Sequence, residues 1–215
     1  KELNENIFFR TDGSLIVAEK DHESELESIS LRINEYTKSN FQIVSNKKLR
    51  SLEPEIDSSD LIGLFFKNEG QIASEEIMKK LIKYILSKDS EIFFNSEVRN
   101  IKKNTIFLYD NKKFEFDFVI ECSGLGKLNN KNIRAVRGEI IEIHAPEIKI
   151  SRPIRLSHYR YPVYIAPRVN GKYLIGATEI ESKDFSPVSV RSAIELLNSS
   201  LRISKRFSEA RINLL

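Results

Sequence analysis

Apolar residues at Leu26, Ile29, Ile33 and Tyr36 recur every three or four positions, which predicts an amphipathic helix over residues 23–38. Ile77, Leu81, Ile82 and Ile85 repeat in the same way. They predict a buried stripe on a helix capped by Ser74, with Glu75 and Glu76 in its positive first turn and Lys88 at its negative end. Ser45 is placed to cap a short helix that buries Leu49 and Leu52 and stops before Pro54. Ser186-Pro187 predicts a helix start, since proline's missing N–H costs nothing in the first turn; Val190, Ile194, Leu197 and Leu201 form its apolar stripe.

Between these helices lie short apolar runs that read as strands, at 41–44, 61–66, 91–94, 98–101, 105–109, 114–122, 135–143 and 207–213. The runs 7–9 and 15–18 flank Thr11-Asp12-Gly13 and read as a hairpin. Runs 163–167 and 173–178 flank Asn170-Gly171, a strong hairpin signal because both central residues of a type I′ turn need positive φ. Strands and helices mix without a clean βαβ alternation, so the fold class is α+β, or a composite α/β architecture.

The length of 215 residues fits one large domain or two small ones. With 40% hydrophobic and 30% charged residues the chain is too apolar for wholesale disorder. Net charge is only +3, and no run of five like charges occurs, which argues against a nucleic-acid stripe. A lone cysteine, Cys122, rules out an internal disulfide framework and points to a reducing, cytoplasmic setting. His22, His144 and His158 stand far apart without ligand spacing, so no metal site is expected. No apolar run approaches the roughly 20 residues that span a bilayer.

Several short stretches stand in a telling order. They are Phe9-Arg10-Thr11-Asp12-Gly13-Ser14-Leu15, Leu52-Glu53-Pro54, Asn68-Glu69-Gly70-Gln71-Ile72, Val119-Ile120-Glu121-Cys122-Ser123-Gly124, Val136-Arg137-Gly138-Glu139, Tyr164-Ile165-Ala166-Pro167-Arg168 and the run from Gly171 to Glu179. Their order and spacing resemble the glycine oxidase/D-amino acid oxidase family over nearly the whole chain. The resemblance implies a Rossmann-like domain that binds FAD and a mixed β-sheet substrate domain, with helices, that covers the flavin. It assigns residues 1–72 and 139–215 to the substrate domain and 73–138 to the FAD domain. A small amino acid or secondary amine is oxidised to an imine, as in glycine oxidase or in thiamine biosynthesis. The flavin does the redox step, so no side chain is expected to be catalytic.

The same resemblance places Val98 against the adenine, and Cys122, Ser123 and Gly124 at a second strand-to-cofactor contact. Read from the residues alone, Ser123-Gly124 is rather a strand-ending turn and Cys122 a small core side chain, while Val98 is equally a core valine. Leu125-Gly126 departs from the family, where a tryptophan often stands. Tyr164 is implied to lie over the flavin near the substrate carboxylate, as an apolar plate with one hydrogen-bond donor; otherwise it is a cross-strand packing residue. Arg168 reads as a turn-stabilising arginine, Arg137-Gly138-Glu139 as the crossing between domains, and Tyr159 and Tyr161 as strand faces.

The chain opens at Lys1-Glu2-Leu3 and stops inside an apolar run, so both ends read as cuts. Without a Gly-x-Gly-x-x-Gly loop, an internal fragment is expected to bind FAD poorly, turn over little and self-associate. Two other readings stay open: a tRNA wobble-base-modifying FAD oxidoreductase domain, disfavoured by the near-neutral charge, and a non-catalytic remnant. Expected partners are a small amino acid or amine, with no membrane and no nucleic acid; a homo-oligomer is left open.

Overall fold

The computed structural model describes residues 7–37, 40–125, 133–157 and 162–214. Its elements run β1 (Phe9–Arg10), β2 (Ser14–Glu19), α1 (Glu23–Tyr36), β3 (Gln42–Val44), α2 (Asn46–Leu52), β4 (Leu61–Phe66), β5 (Gln71–Ile72) and α3 (Ser74–Leu86). They continue with β6 (Val98–Lys102), β7 (Thr105–Leu108), β8 (Lys113–Glu115), β9 (Ile140–His144), β10 (Ile154–Leu156), β11 (Val163–Pro167), β12 (Lys172–Gly176), α4 (Val190–Ile203) and β13 (Arg211–Leu214). Strands from the two ends of the chain join at the β10–β2 pair in an eight-stranded sheet of order β13-β9-β12-β11-β10-β2-β4-β3. β2 and β10 run parallel and the other pairs antiparallel, so the sheet is mixed and the fold α+β, as expected. β6, β7 and β8 form a separate three-stranded sheet, and β1 pairs with β5 in a two-stranded ribbon.

Alternation along the strands gives the large sheet two different faces. On the first, Leu15, Val17, Ile141, Ile143, Ile154, Leu156, Val163, Ile165, Tyr173 and Ile175 join Leu49 of α2, Leu196 and Ile203 of α4, and Phe207 in one core. On the second, α1 covers only the β2–β4 end, packing Leu26, Ile29 and Ile33 against Ala18, Leu64 and Phe66. Neither α1 nor α4 extends over the rest of that face.

Several expected elements differ. Residues 7–18 do not form a hairpin: β1 pairs with β5, while β2 pairs with β4 and β10, and Gly13 donates its N–H to Glu69 O at 3.0 Å. The turn signal is real, but a turn does not choose its partner strand. Residues 91–94 and 116–122 take no strand pairing, and the long strand over 135–143 shortens to Ile140–His144, preceded by a single bridge between Arg137 and Ile180. Likewise the final strand shortens to Arg211–Leu214, because Lys205–Glu209 forms a 3-10 turn. In α3 the predicted stripe is only partly covered: no residue is buried and Ile85 is 40% exposed.

Ser74 lies inside α3 rather than capping it, and Ser45 holds the cap position of α2 without a side-chain bond. α4 starts at Val190, with the Ser189 hydroxyl accepting the Ser192 N–H, because Ser186 and Pro187 are held elsewhere: their carbonyls accept from Arg137. Its buried face is Ser192, Leu196, Ser199, Ser200 and Ile203, whereas Val190 and Ile194 point to solvent. Small hydroxyl side chains, bonded back to the helix through Glu195 O and Leu197 O, let α4 lie close on the sheet. In the β11–β12 hairpin Asn170 and Gly171 both take positive φ, 59° and 68°, as expected, inside a turn closed by Arg168 N–H to Lys172 O at 2.8 Å.

Candidate functional site

The uncovered part of the second face holds the candidate site. Cross-strand partners point to the same side of a sheet, so Arg155 of β10, Tyr164 of β11, Gly176 of β12 and Ile140 of β9 lie side by side across it. Tyr164 is half-buried. Its ring leans over Gly176: a Cβ there would stand 3.2 Å from the Tyr164 hydroxyl oxygen and 2.9 Å from Ile140 Cγ1. The missing side chain at Gly176 is therefore what lets the ring lie down along the sheet. Burial raises the Tyr164 phenol above its ordinary range against the opposing pull of Arg168, so it stays protonated at neutral pH. The hydroxyl bonds to no described residue.

Two arginines fasten one end of this face to the β1–β5 ribbon. Arg155 Nη2 donates to Glu69 Oε2 at 3.0 Å, and the buried Ser14 hydroxyl donates to the same oxygen. Arg168 Nη1 donates to Gln71 Oε1 at 3.2 Å and to Pro167 O at 3.0 Å. Burial lowers the Arg168 guanidinium, with Tyr164 and Glu76 opposing. Both acceptors are neutral: Pro167 O lies at the turn and Gln71 on β5, so the side chain ties the turn to the ribbon.

A second feature borders the same sheet. A groove of about 380 Å³ is lined by Leu125, by residues 136–140 and by the loop 182–188. Arg137 organises that loop, donating to Asp184 O at 2.7 Å, to Pro187 O at 2.8 Å and to Ser186 O. It also pairs with buried Glu139 at 2.8 Å. Burial by itself pushes the Glu139 carboxyl up, but the Ser192 hydroxyl, the Ser189 N–H and the Arg137 guanidinium hold it below the ordinary carboxylate range. Arg137-Gly138-Glu139 thus supports the 182–188 loop, and its backbone walls the groove.

The chain matches the model of the family described as FAD dependent oxidoreductase over residues 1–212. It belongs to that family. Among curated relatives it is 29% identical over 201 residues to a protein assigned as the thiamine biosynthesis oxidoreductase ThiO of Rhizobium etli, covering 93% of this chain and 56% of that protein. In fold it is similar to the glycine oxidases of Bacillus cereus (TM-score 0.82, 18% identity, covering 96% of this chain and 59% of that one) and Geobacillus kaustophilus (TM-score 0.83, 18% identity, 99% and 60%). The chain therefore spans little more than half the length of the relatives it matches.

For a member of an FAD-dependent family, the expected cofactor residues must leave backbone within reach of a large polar ligand. Gly124 does so: it takes φ +59°, and no atom lies within 4 Å of where a Cβ would stand. Ser123 is exposed, and its hydroxyl donates to Glu121 Oε1 at 2.7 Å. A carboxylate two residues back disfavours a phosphate and suits hydroxyl donors, so this loop fits the sugar-alcohol part of FAD. Val98 is half-buried at the start of β6, beside a bulge between it and Asn100, which leaves main chain there outside regular pairing. Cys122 is exposed rather than a core side chain, because the residues around it join no strand. No described hydrogen bond joins Val98 to residues 122–124, and Tyr164 belongs to the other sheet. Gly126, His158, Tyr159 and Tyr161 lie outside the described residues.

Sequence reasoning missed Arg155 as the cross-strand partner of Tyr164, and Glu69 and Gln71 as the acceptors of Arg155 and Arg168. One signal was present: Arg155 is a lone charge between two buried residues, Ile154 and Leu156, and so must face away from the core.

Proposed function

We propose that the protein oxidises a small amino acid or secondary amine, in the manner of a glycine oxidase or ThiO, with the sheet face around Tyr164 as the substrate side. The observation that carries this reading is a half-buried phenol, laid flat over Gly176, whose hydroxyl has no partner among the described residues. An aromatic plate with a free donor at its rim suits a carboxylate held beside an apolar reacting carbon. FAD, when bound, supplies the two-electron acceptance that turns the amine into an imine. The chain's own residues bind, orient and shield: Val98 and Cys122-Ser123-Gly124 on the cofactor side, Tyr164 on the substrate side. Residues 1–72 and 139–215 then act as substrate domain and 73–138 as part of the FAD domain, a division supported by the separate three-stranded sheet between the two contributions to the large one. A cytoplasmic setting and a role in thiamine biosynthesis complete the proposal.

The test is anaerobic reduction of the bound flavin in protein expressed from the complete gene, offered glycine, sarcosine or D-alanine. Bleaching of the flavin by at least one of them is expected. A flavin that stays oxidised with all small amines would overturn the proposal.

A further inference from the structure

We propose that the groove between α1 and the β3 edge of the large sheet is a binding site for an alkylammonium ion, separate from the Tyr164 face. Glu23, Leu26, Glu27 and Ser30 stand at i, i+3, i+4 and i+7, which puts them in one row along α1. Leu26 is the apolar member of that row, and it joins Ile29 and Ile33 in packing α1 onto β2 and β4. The others overhang β3, the last strand of the sheet among the described residues. Between the row and the strands lies a groove of about 280 Å³, lined by Leu26, Ile43, Ile62 and Leu64. Leu26 and Leu64 are buried, whereas Ile43, on the edge strand, is 75% exposed. The groove stays open because Ser30, one turn after Leu26, is small and turns its hydroxyl back to Glu27 O at 2.8 Å.

Charge selects the occupant. The ionisable side chains lining the groove are Glu23 and Glu27, both carboxylates. They stand one turn apart, with Cβ atoms about 6 Å from each other, and neither carboxylate meets a cation or a donor among the described residues. Glu25, outside this row, is engaged: it accepts from the Ser157 hydroxyl at 2.5 Å and faces His22 at 3.6 Å. Like charges at this spacing destabilise a helix, and a cation set between them offsets the repulsion. An ammonium group carries three donors, enough for both carboxylates, and its alkyl chain then lies along Leu26 and Leu64. A second copy of the chain would bring the same two carboxylates against the same edge, so charge disfavours it. The Tyr164 face is four strands away, from β3 to β11, or about 19 Å, and α1 over β2 and β4 stands between the two.

The probe is hexylammonium, titrated by calorimetry at pH 7 and low salt into FAD-loaded protein from the complete gene, with its flavin reduced beforehand so that no amine is turned over. Butylammonium, hexanol and hexanoate are titrated beside it. Hexylammonium is expected to bind about fivefold or more tightly than hexanol, an advantage that shrinks at high salt, and hexanoate more weakly than either. Two methylenes fewer should weaken butylammonium about tenfold. Glu27→Gln, at an exposed position, should weaken hexylammonium about threefold and leave hexanol unchanged. Ser30→Leu, which sets a larger side chain in the groove, should abolish both at an unchanged melting temperature. Hexylammonium and hexanol binding alike would overturn the proposal in favour of a merely apolar groove. Hexylammonium binding that survives Ser30→Leu would put the amine elsewhere, the Tyr164 face included, and would overturn it as well. No binding of hexylammonium, with a dimer in sedimentation that Ile43→Asp disperses, would overturn it in favour of a second copy at the β3 edge.

Discussion

One hairpin carries two tyrosines with opposite fates. Tyr173 of β12 faces the covered side of the large sheet and is 3% exposed. Its hydroxyl donates to Ile148 O at 2.5 Å and accepts from Ile150 N–H at 3.4 Å, and its ring meets Phe207 edge-on at 5.4 Å. Tyr164 of β11 faces the open side, with a hydroxyl that has no partner among the described residues and a glycine under its ring. Burial raises both phenols. The difference lies in satisfaction: a hydroxyl whose partners are supplied by the fold stabilises the fold, and one held in place without partners is available to a ligand.

The comparison can be broken first at the polar anchor of the covered side. Glu53 is 1% exposed, pairs with Arg152 at 2.8 Å and accepts from the Ser151 and Arg152 N–H groups and the Ser151 hydroxyl. Glu53→Ala strands all of these and should cost about 3–5 kcal/mol in denaturant unfolding. Because burial raises the Glu53 carboxyl, its folded form holds a proton more tightly than the unfolded chain does. Its contribution is therefore full below the ordinary carboxylate value and falls as pH rises through the raised one. Glu53→Gln should accordingly cost less than Glu53→Ala. Equal losses would mean that the carboxylate charge, which Gln lacks, carries the whole effect.

Tyr173→Phe should come next, at about 1–3 kcal/mol, since it leaves the Ile148 carbonyl and the Ile150 N–H buried without their partner. A melting curve decides it. Tyr164→Phe should leave melting within about 0.5 kcal/mol of the parent. In the flavin-loaded enzyme it should raise KM about tenfold with kcat nearly constant, the signature of a lost substrate-binding hydrogen bond. If the two substitutions exchanged their effects, the division of the sheet into a structural and a functional side would fail.

The smallest effect is expected at the rim. Arg202 of α4 pairs with Glu19 at 2.6 Å, and its hydrogen bond holds the Glu19 carboxyl below the ordinary range. That contribution is present above the unfolded value near 4.5 and is lost as pH falls through the lowered folded one. Both side chains are about one-third exposed, so Glu19→Gln should cost under about 1 kcal/mol, less at high salt. Unfolding at neutral pH and at pH 3 would show the gap closing in acid.

Much of this architecture was legible in the residues. β4 and β11 fall where their apolar runs lie, α1 follows its three-and-four spacing, and Asn170-Gly171 takes the positive φ angles its composition demands, because these are properties of neighbours along the chain. The ordered set of short stretches was enough to indicate the family. What the sequence left undecided depends on pairing at a distance. Thr11-Asp12-Gly13 marks a bend, but only the assembled sheet pairs β1 with β5. α4 offers two stripes, and only the close approach to the sheet selects the serine-rich one, where small side chains fit. Tyr164 could be packing or function until the face it shares with Arg155 and Gly176 proved to be the one α1 leaves uncovered. Local preference is written every two or four residues. Which face is closed, and which polar group stays unsatisfied, follows from contacts between residues as far apart as Glu69 and Arg155, which no periodicity encodes.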